Sequence, residues 1–334
     1  MLWFMPHRGS TTTSPPRVPA SASALSVAAA AVTQRTLRPV HNSLPLNNFG
    51  VAVGRGIVAG FMSALGPPLR GSTVVAVRDG AVRGEWVLAP GVQHADRAIY
   101  YVHGSGYVVC SARTHRGLAS RLSKRTGLPV FLSDYRLAPE HRFPSAADDI
   151  AAGYRWLLSR GFAATDLVVA GDSAGGHLIL DLLIDNRRNH TPQPAGVALF
   201  SPLIDLTFGL AAQQERQRRD PMISARAARD LVSLYTDGIP ADHPRLRLAL
   251  PPGAALPPIL VQAGGGEMLS ADARYFRDIV QASGGRCDLE IWPGQMHVFQ
   301  ALPLLIPEAS MALARTAAFV DDAFAATAAL KKVS

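Results

Sequence analysis

The chain has 334 residues, 48% of them hydrophobic and 17% charged, a balance that supports a sizeable packed core and excludes a disordered or fibrous protein. Its net charge of +8 raises anionic surfaces and nucleic acid as partners. The arginines are scattered, however, and the densest run, "QQERQRRD" from Gln213 to Asp220, also holds Glu215 and Asp220, so it reads as a solvated helix face and the chain as no nucleic-acid binder.

Residues 1–22 open apolar, then turn Ser/Thr/Pro-rich, and read as a flexible leader. "ASA" at Ala20 to Ala22 resembles a cleavage motif but precedes the Ala/Val run, and that run is too short to span a bilayer. The two cysteines, Cys110 and Cys287, make no disulfide framework and have no neighbours at metal-ligand spacing, which fits reduced thiols in a cytoplasmic chain. Attachment to the membrane periphery or the cell envelope is the alternative location. From residue 23 to 70 apolar residues recur at three- and four-residue spacing with turns at "SLPLNN" and "GPP", predicting two helices outside any sheet. "STVVAV" and "VRGEWVLAP" follow as strands, joined across an Asp-Gly hairpin signal.

The chain then alternates. "RAIYYVHG" is a buried strand, "RTHRGLASRLSKRTG" a helix closed by Gly127, "LPVFLSDY" a strand, and "SAADDIAAGYRWLLSRG" a helix stopped by Gly161. "DLVVAG" is a strand, "GGHLILDLLIDNRR" a helix, and "AGVALFSP", "PPILVQAG" and "RCDLEIWPG" are further strands. Such alternation predicts an α/β protein with a mostly parallel central sheet and helices on both faces. The segment from about 206 to 250 interrupts the alternation, looks helical, and is expected to form a cap beside the N-terminal helices.

"GDSAG", Gly171 to Gly175, fits G-x-S-x-G at the point where a strand must reverse into a helix, which would lift the Ser173 hydroxyl above the sheet and aim the Ala174 N–H at a reaction centre. Such an elbow runs in the order Ser, acid, His. His297 in "WPGQMHVFQ" follows the last strand and is the candidate base, whereas His177 lies in the helix after the serine and His190 and His243 follow no strand. "ILVQAGGGEMLSADARYF" offers two acids: Glu267 directly after the strand is favoured, and Asp272, placed to open the next helix, is the alternative. The oxyanion donors are expected from "HGSGY", His103 to Tyr107, after the "RAIYYV" strand.

"HGSGY", "DYRLAPEHRFPSAADD", "GDSAGGHL", "SPLIDL", "GGGEMLSADA" and "PGQMHVFQ" occur in an order that resembles the hormone-sensitive-lipase-like branch of the α/β-hydrolases, also called bacterial family IV esterases, over roughly 74 to 328. "VRGEWVLAP" and "CSARTHRGLASRLS" look most like actinobacterial members. The resemblance implies an α/β-hydrolase fold with a helical cap, so that 71–334 form the catalytic domain. It implies a serine esterase or lipase acting on short- to medium-chain acyl esters through Ser173, Glu267 and His297, with no metal or cofactor. By resemblance Ser105 and Gly106 donate N–H groups to the oxyanion together with Ala174, while Gly104 keeps the loop compact. Ser105 departs from the family's middle glycine, and Ala271 from an acidic residue common in relatives. Acyl transfer, amide cleavage and a ligand-binding role on a weakened site stay open as alternatives. So do a homodimer and contact of the basic N-terminal helices with an anionic lipid surface.

Overall fold

The computed structural model describes residues 15–104 and 106–331. Eight strands make one sheet: β1 (Thr73–Asp79), β2 (Val82–Leu88), β3 (Ala98–Val102), β4 (Val130–Ser133), β5 (Leu167–Asp172), β6 (Gly196–Phe200), β7 (Ile259–Gly264) and β8 (Cys287–Trp292). They lie in the order β1-β2-β4-β3-β5-β6-β7-β8. β2 is antiparallel to both its neighbours, through the predicted hairpin at Gly80, and every other pair is parallel.

The apolar runs explain the layering. β3 to β6 are buried along their whole length, so each sends alternate side chains to both faces. Tyr100, Val102 and Val169 join one cluster with residues of α4 (Ser145–Ser159), α5 (Ala174–Arg188) and α8 (Ser270–Ala282). Ile99, Tyr101 and Val168 join the other with α3 (Ala112–Thr126) and α9 (Glu308–Lys331). Gly127 closes α3 with φ 71° and an N–H to Ser123 O at 2.8 Å, as its position in the sequence predicted.

β3 lies between β4 and β5, so the order of the sheet reverses there and the loops after β3 and β5 leave its carboxyl edge on either side of a crevice. Two helices stand over that edge: α1 (Ala24–Ser43), N-capped by Ser23, and α2 (Asn48–Leu65), N-capped by Asn47. α2 is apolar and long enough to cross a bilayer by composition, but Gly50, Val51 and Gly54 are buried against the protein.

Residues 15–22 belong to the predicted leader and yet lie against the body. Arg315 donates to Pro16 O at 2.9 Å, and Val18 packs on the cluster around Trp292 and Phe299. The rest of the predicted leader, 1–14, lies outside the described residues. Between β6 and β7 only α6 (Gly209–Gln217) and α7 (Ala225–Thr236) are helical. The expected helical segment therefore ends early: Gly238 takes φ 80°, and Pro240, Pro244 and Pro251 lack the N–H that a helix needs.

The "QQERQRRD" run is a solvated face at Gln213 and at Arg216, Gln217, Arg218 and Arg219, as its composition suggested, but its two carboxylates turn inward. Glu215 pairs with the buried Arg38 of α1 and accepts the Ala225 N–H of α7 at 2.8 Å, while Asp220 is 1% exposed. Both carboxylates face partners that are distant in sequence, which a local charge pattern does not register.

Candidate active site

At the end of β5 the backbone turns sharply. Ser173 sits at φ 51° and ψ −122°, a conformation that non-glycine residues rarely hold. Its N–H donates to Phe200 O at 3.0 Å, and its carbonyl accepts from Gly176 and Leu203, each at 2.9 Å. These three bonds hold the strained residue. The flanking glycines are required by close approach: a Cβ on Gly171 or Gly175 would meet Val102 O at 2.5 or 2.2 Å. The elbow of β5 is thus pressed against the end of β3. Ala174 opens α5, so its N–H has no partner within the helix.

The loop after β3 crosses the same spot. A Cβ on Gly104 would lie 2.1 Å from Asp172 Oδ2, so only glycine fits there, and Gly106 takes φ 55°. Both line the cavity that holds Ser173. Ser105 lies outside the described residues. Next to Ser173 in the chain, Asp172 is buried and accepts the Tyr101 hydroxyl at 2.7 Å, with His115 Nε2 at 3.3 Å. Burial pushes the Asp172 carboxyl up, but His115, Tyr101 and the Gly104 N–H outweigh it and hold the group below its ordinary value.

Glu267 and His297 come from the loops after β7 and β8, which are zipped together by backbone bonds from Gly265 N to Trp292 O (2.7 Å) and from Gly266 N to Gln295 O (2.9 Å). Glu267 is 1% exposed. Its Oε1 accepts the Gly264 N–H at 2.6 Å and the Ser201 hydroxyl at 2.7 Å, and its Oε2 lies 2.5 Å from His297 Nδ1. The imidazole therefore has its Nδ1 fixed and Nε2 left for other work. Burial lowers the His297 pKa, but the adjoining Glu267 carboxylate, with Asp220 and Asp172, overrides it and raises the group above the ordinary histidine value.

Asp272, the alternative acid, is not brought to the imidazole. Its Oδ1 accepts the Ile204 and Asp205 N–H groups at 2.9 and 2.8 Å, and burial lifts the carboxyl to about 7. Ser201, at φ 49° after β6, received no role from sequence. It donates to Glu267 and accepts the Val298 N–H at 3.0 Å, so it braces the loops that carry Glu267 and His297. The signal available for it was only its place at a strand's carboxyl end.

Ser173 and His297 line one cavity of about 240 Å³. Its remaining wall is largely apolar and comes from α1 (Leu37), the α1–α2 turn (Leu44, Leu46), α2 (Val51, Ile57) and α7 (Ala228, Leu231). Cys110 also lines it, with burial pushing its thiol up to about 12, which leaves it protonated and unreactive as a nucleophile. Among the described residues no three His, Cys, Asp or Glu side chains group as metal ligands.

Comparison with known proteins accords with this geometry. Residues 99–301 match a family described as having the alpha/beta hydrolase fold. Carboxylesterase/phospholipase LipF of Mycobacterium tuberculosis is 35% identical over 252 residues, 72% of this chain but only 66% of that protein. An esterase of Acinetobacter venetianus is 34% identical over 74% of this chain and 81% of its own length. The crystal structure of an esterase from the bacterial hormone-sensitive lipase family superposes with a TM-score of 0.82 at 31% identity, covering 91% of this chain and 99% of the other. Elbow, order of loops and relatives lead to one assignment: the chain belongs to the hormone-sensitive-lipase-like esterase family of the α/β hydrolases.

Proposed function

We propose that this protein hydrolyses carboxylic esters of short- to medium-chain acids, with Ser173 as nucleophile, His297 as general base and acid, and Glu267 orienting the base. The observation that supports it most is the 2.5 Å contact of Glu267 Oε2 with His297 Nδ1 beside a serine held at φ 51° in the same apolar cavity. In the first step His297 Nε2 takes the Ser173 Oγ proton as Oγ adds to the ester carbonyl. The resulting oxyanion is met by the N–H groups of Ala174, Gly106 and, by expectation, Ser105, while Gly104 keeps the loop compact with its own N–H turned to Asp172. His297 then returns the proton to the departing alcohol, leaving an acyl-Ser173 that water cleaves by the same route in reverse.

The apolar wall suits a hydrocarbon acyl or alcohol group, and the names of relatives, esterase and acetyl-hydrolase among them, are in keeping. A purely ligand-binding role is disfavoured, because such a role has no use for an oriented acid and base beside the serine.

The test is hydrolysis of p-nitrophenyl esters from acetate to palmitate. Ser173→Ala is expected to be inactive, and Glu267→Gln to lose roughly 10³-fold in kcat, since the imidazolium formed in the transition state loses its counter-charge. Activity that survives Ser173→Ala would overturn the mechanism. An unchanged Glu267→Gln would remove the acid's role.

A further inference from the structure

Asp220 ends the charge run that reads from sequence as a solvated helix face, yet it is 1% exposed and lines the cavity. It lies in the link between α6 and α7. Its Oδ1 accepts the N–H of Met222 at 2.7 Å and of Ile223 at 3.2 Å, and its Oδ2 accepts the N–H of Met268 at 2.8 Å. The donors belong to two parts of the site. Met222 and Ile223 form cavity wall and lead into α7, whereas Met268 follows Glu267 directly.

Both oxygens must therefore be acceptors, which among side chains of this size only a carboxylate provides. An asparagine would turn an NH₂ toward the Met268 N–H or toward the Met222 and Ile223 pair, donor against donor. Burial, with the Glu267 charge, raises the Asp220 carboxyl above its ordinary value, and the Met268 and Met222 N–H groups and His297 act in the opposite direction. The charged groups that act on His297 are Glu267, Asp220 and Asp172. Nearby, Arg218 is turned to Gly265 O at 3.3 Å, and His41 Nδ1 lies 3.1 Å from Met222 O.

We propose that Asp220 is a positioning residue for the reaction: a carboxylate supplied by the cap that sets the acid loop at Met268 and adds a second negative charge toward His297. It takes up no proton in the cycle. The Ser173 proton goes to His297 and onward to the leaving group, and Asp220 favours the imidazolium through space while holding the cavity wall to the catalytic loops. The inference rests on His297 serving as the base. It extends that reading by making the α6–α7 link part of the machinery that sets the basicity of His297.

The experiment compares wild type, Asp220→Asn and Asp220→Glu with p-nitrophenyl butyrate from about pH 5 to about pH 9, where a histidine base titrates. For Asp220→Asn, kcat is expected to fall roughly ten- to hundredfold through misplacement of the base. Removing a negative charge lowers the His297 pKa, so the acidic limb of kcat/KM should move to lower pH. Asp220→Glu should return the limb toward its wild-type position with only part of kcat. A residue that merely stabilised the fold would leave the limb in place, so an unmoved limb in folded Asp220→Asn overturns the proposal.

Two measurements separate this outcome from failure of the parent reading. The His297 titration followed by NMR in Ser173→Ala, with and without Asp220→Asn, needs no turnover, and equal pKa values in the two proteins overturn the proposal. If Asp220→Asn does not fold, the ¹³C carboxyl resonance of Asp220 in the wild-type chain decides. Ionisation below the His297 titration supports the proposal, and a carboxyl still protonated above it overturns it.

Discussion

Ser201 shows how one hydroxyl can brace two loops. It donates to Glu267 Oε1 and accepts the Val298 N–H, so Ser201→Ala should leave a buried amide unpaired and free one side of the Glu267 carboxylate. The expected result is a drop in kcat of about tenfold with little change in KM, read from the same ester assay; an unaffected kcat would show that Gly264 N–H alone holds Glu267. The residues of the constellation differ in how far a sequence exposes them. Ser173 was legible because the glycines that crowd its turn stand two positions either side. Glu267 and His297 were legible because each follows a strand. Ser201, Asp172 and Asp220 were not, since a serine or aspartate at a strand end or helix link is ordinary until its partner across the fold is known.

Among the elements, α1 and α2 do most to define what the site can hold. α1 is tied to the α6–α7 unit by the Arg38–Glu215 pair and by Asn42, which accepts from Ser224 at 3.1 Å. On α2, Arg55 donates to Val108 O at 2.8 Å and to both oxygens of Glu140. Gly54 of α2 lines the cavity, and a Cβ there would meet only Leu44 Cδ1, at 3.3 Å. Gly54→Leu should therefore fold and fill part of the cavity. Its kcat/KM for octanoate esters is expected to fall at least tenfold while acetate is nearly unaffected, because each methylene denied burial costs about 0.8 kcal/mol. Equal losses on both esters would place the acyl chain elsewhere. The early end of the helical segment after α7 belongs to this scale too. Its glycine and prolines were in plain view, but the apolar spacing around them mimicked a helix.

For the whole molecule, Asp272 connects the site to stability. Its carboxyl is raised from 3.8 to about 7 by burial, so the folded protein binds a proton there more tightly than the unfolded chain. Stability from this group is present below about pH 4 and is lost as pH rises to about 7. Asp272→Asn keeps an acceptor for Ile204 and Asp205 without the charge, so its Tm relative to wild type should increase from about pH 4 to about pH 7 and then level off. A constant Tm difference across that range would refute the assignment.

Strand and helix periodicity, turn residues and the order of the loops were determined by sequence alone, and with them the parallel sheet, the elbow and the candidate base. These are local signals, written within ten or so residues. The sequence favoured Glu267 over Asp272 by its place after a strand; what only the tertiary structure decided is the contact of Glu267 with His297, the bracing by Ser201, and the burial of Asp220. Each of these rests on a hydrogen bond between groups from different loops. Position after a strand ranks the two carboxylates, but which of them meets the imidazole and which meets backbone N–H groups is settled by the register in which the strands bring their carboxyl ends together.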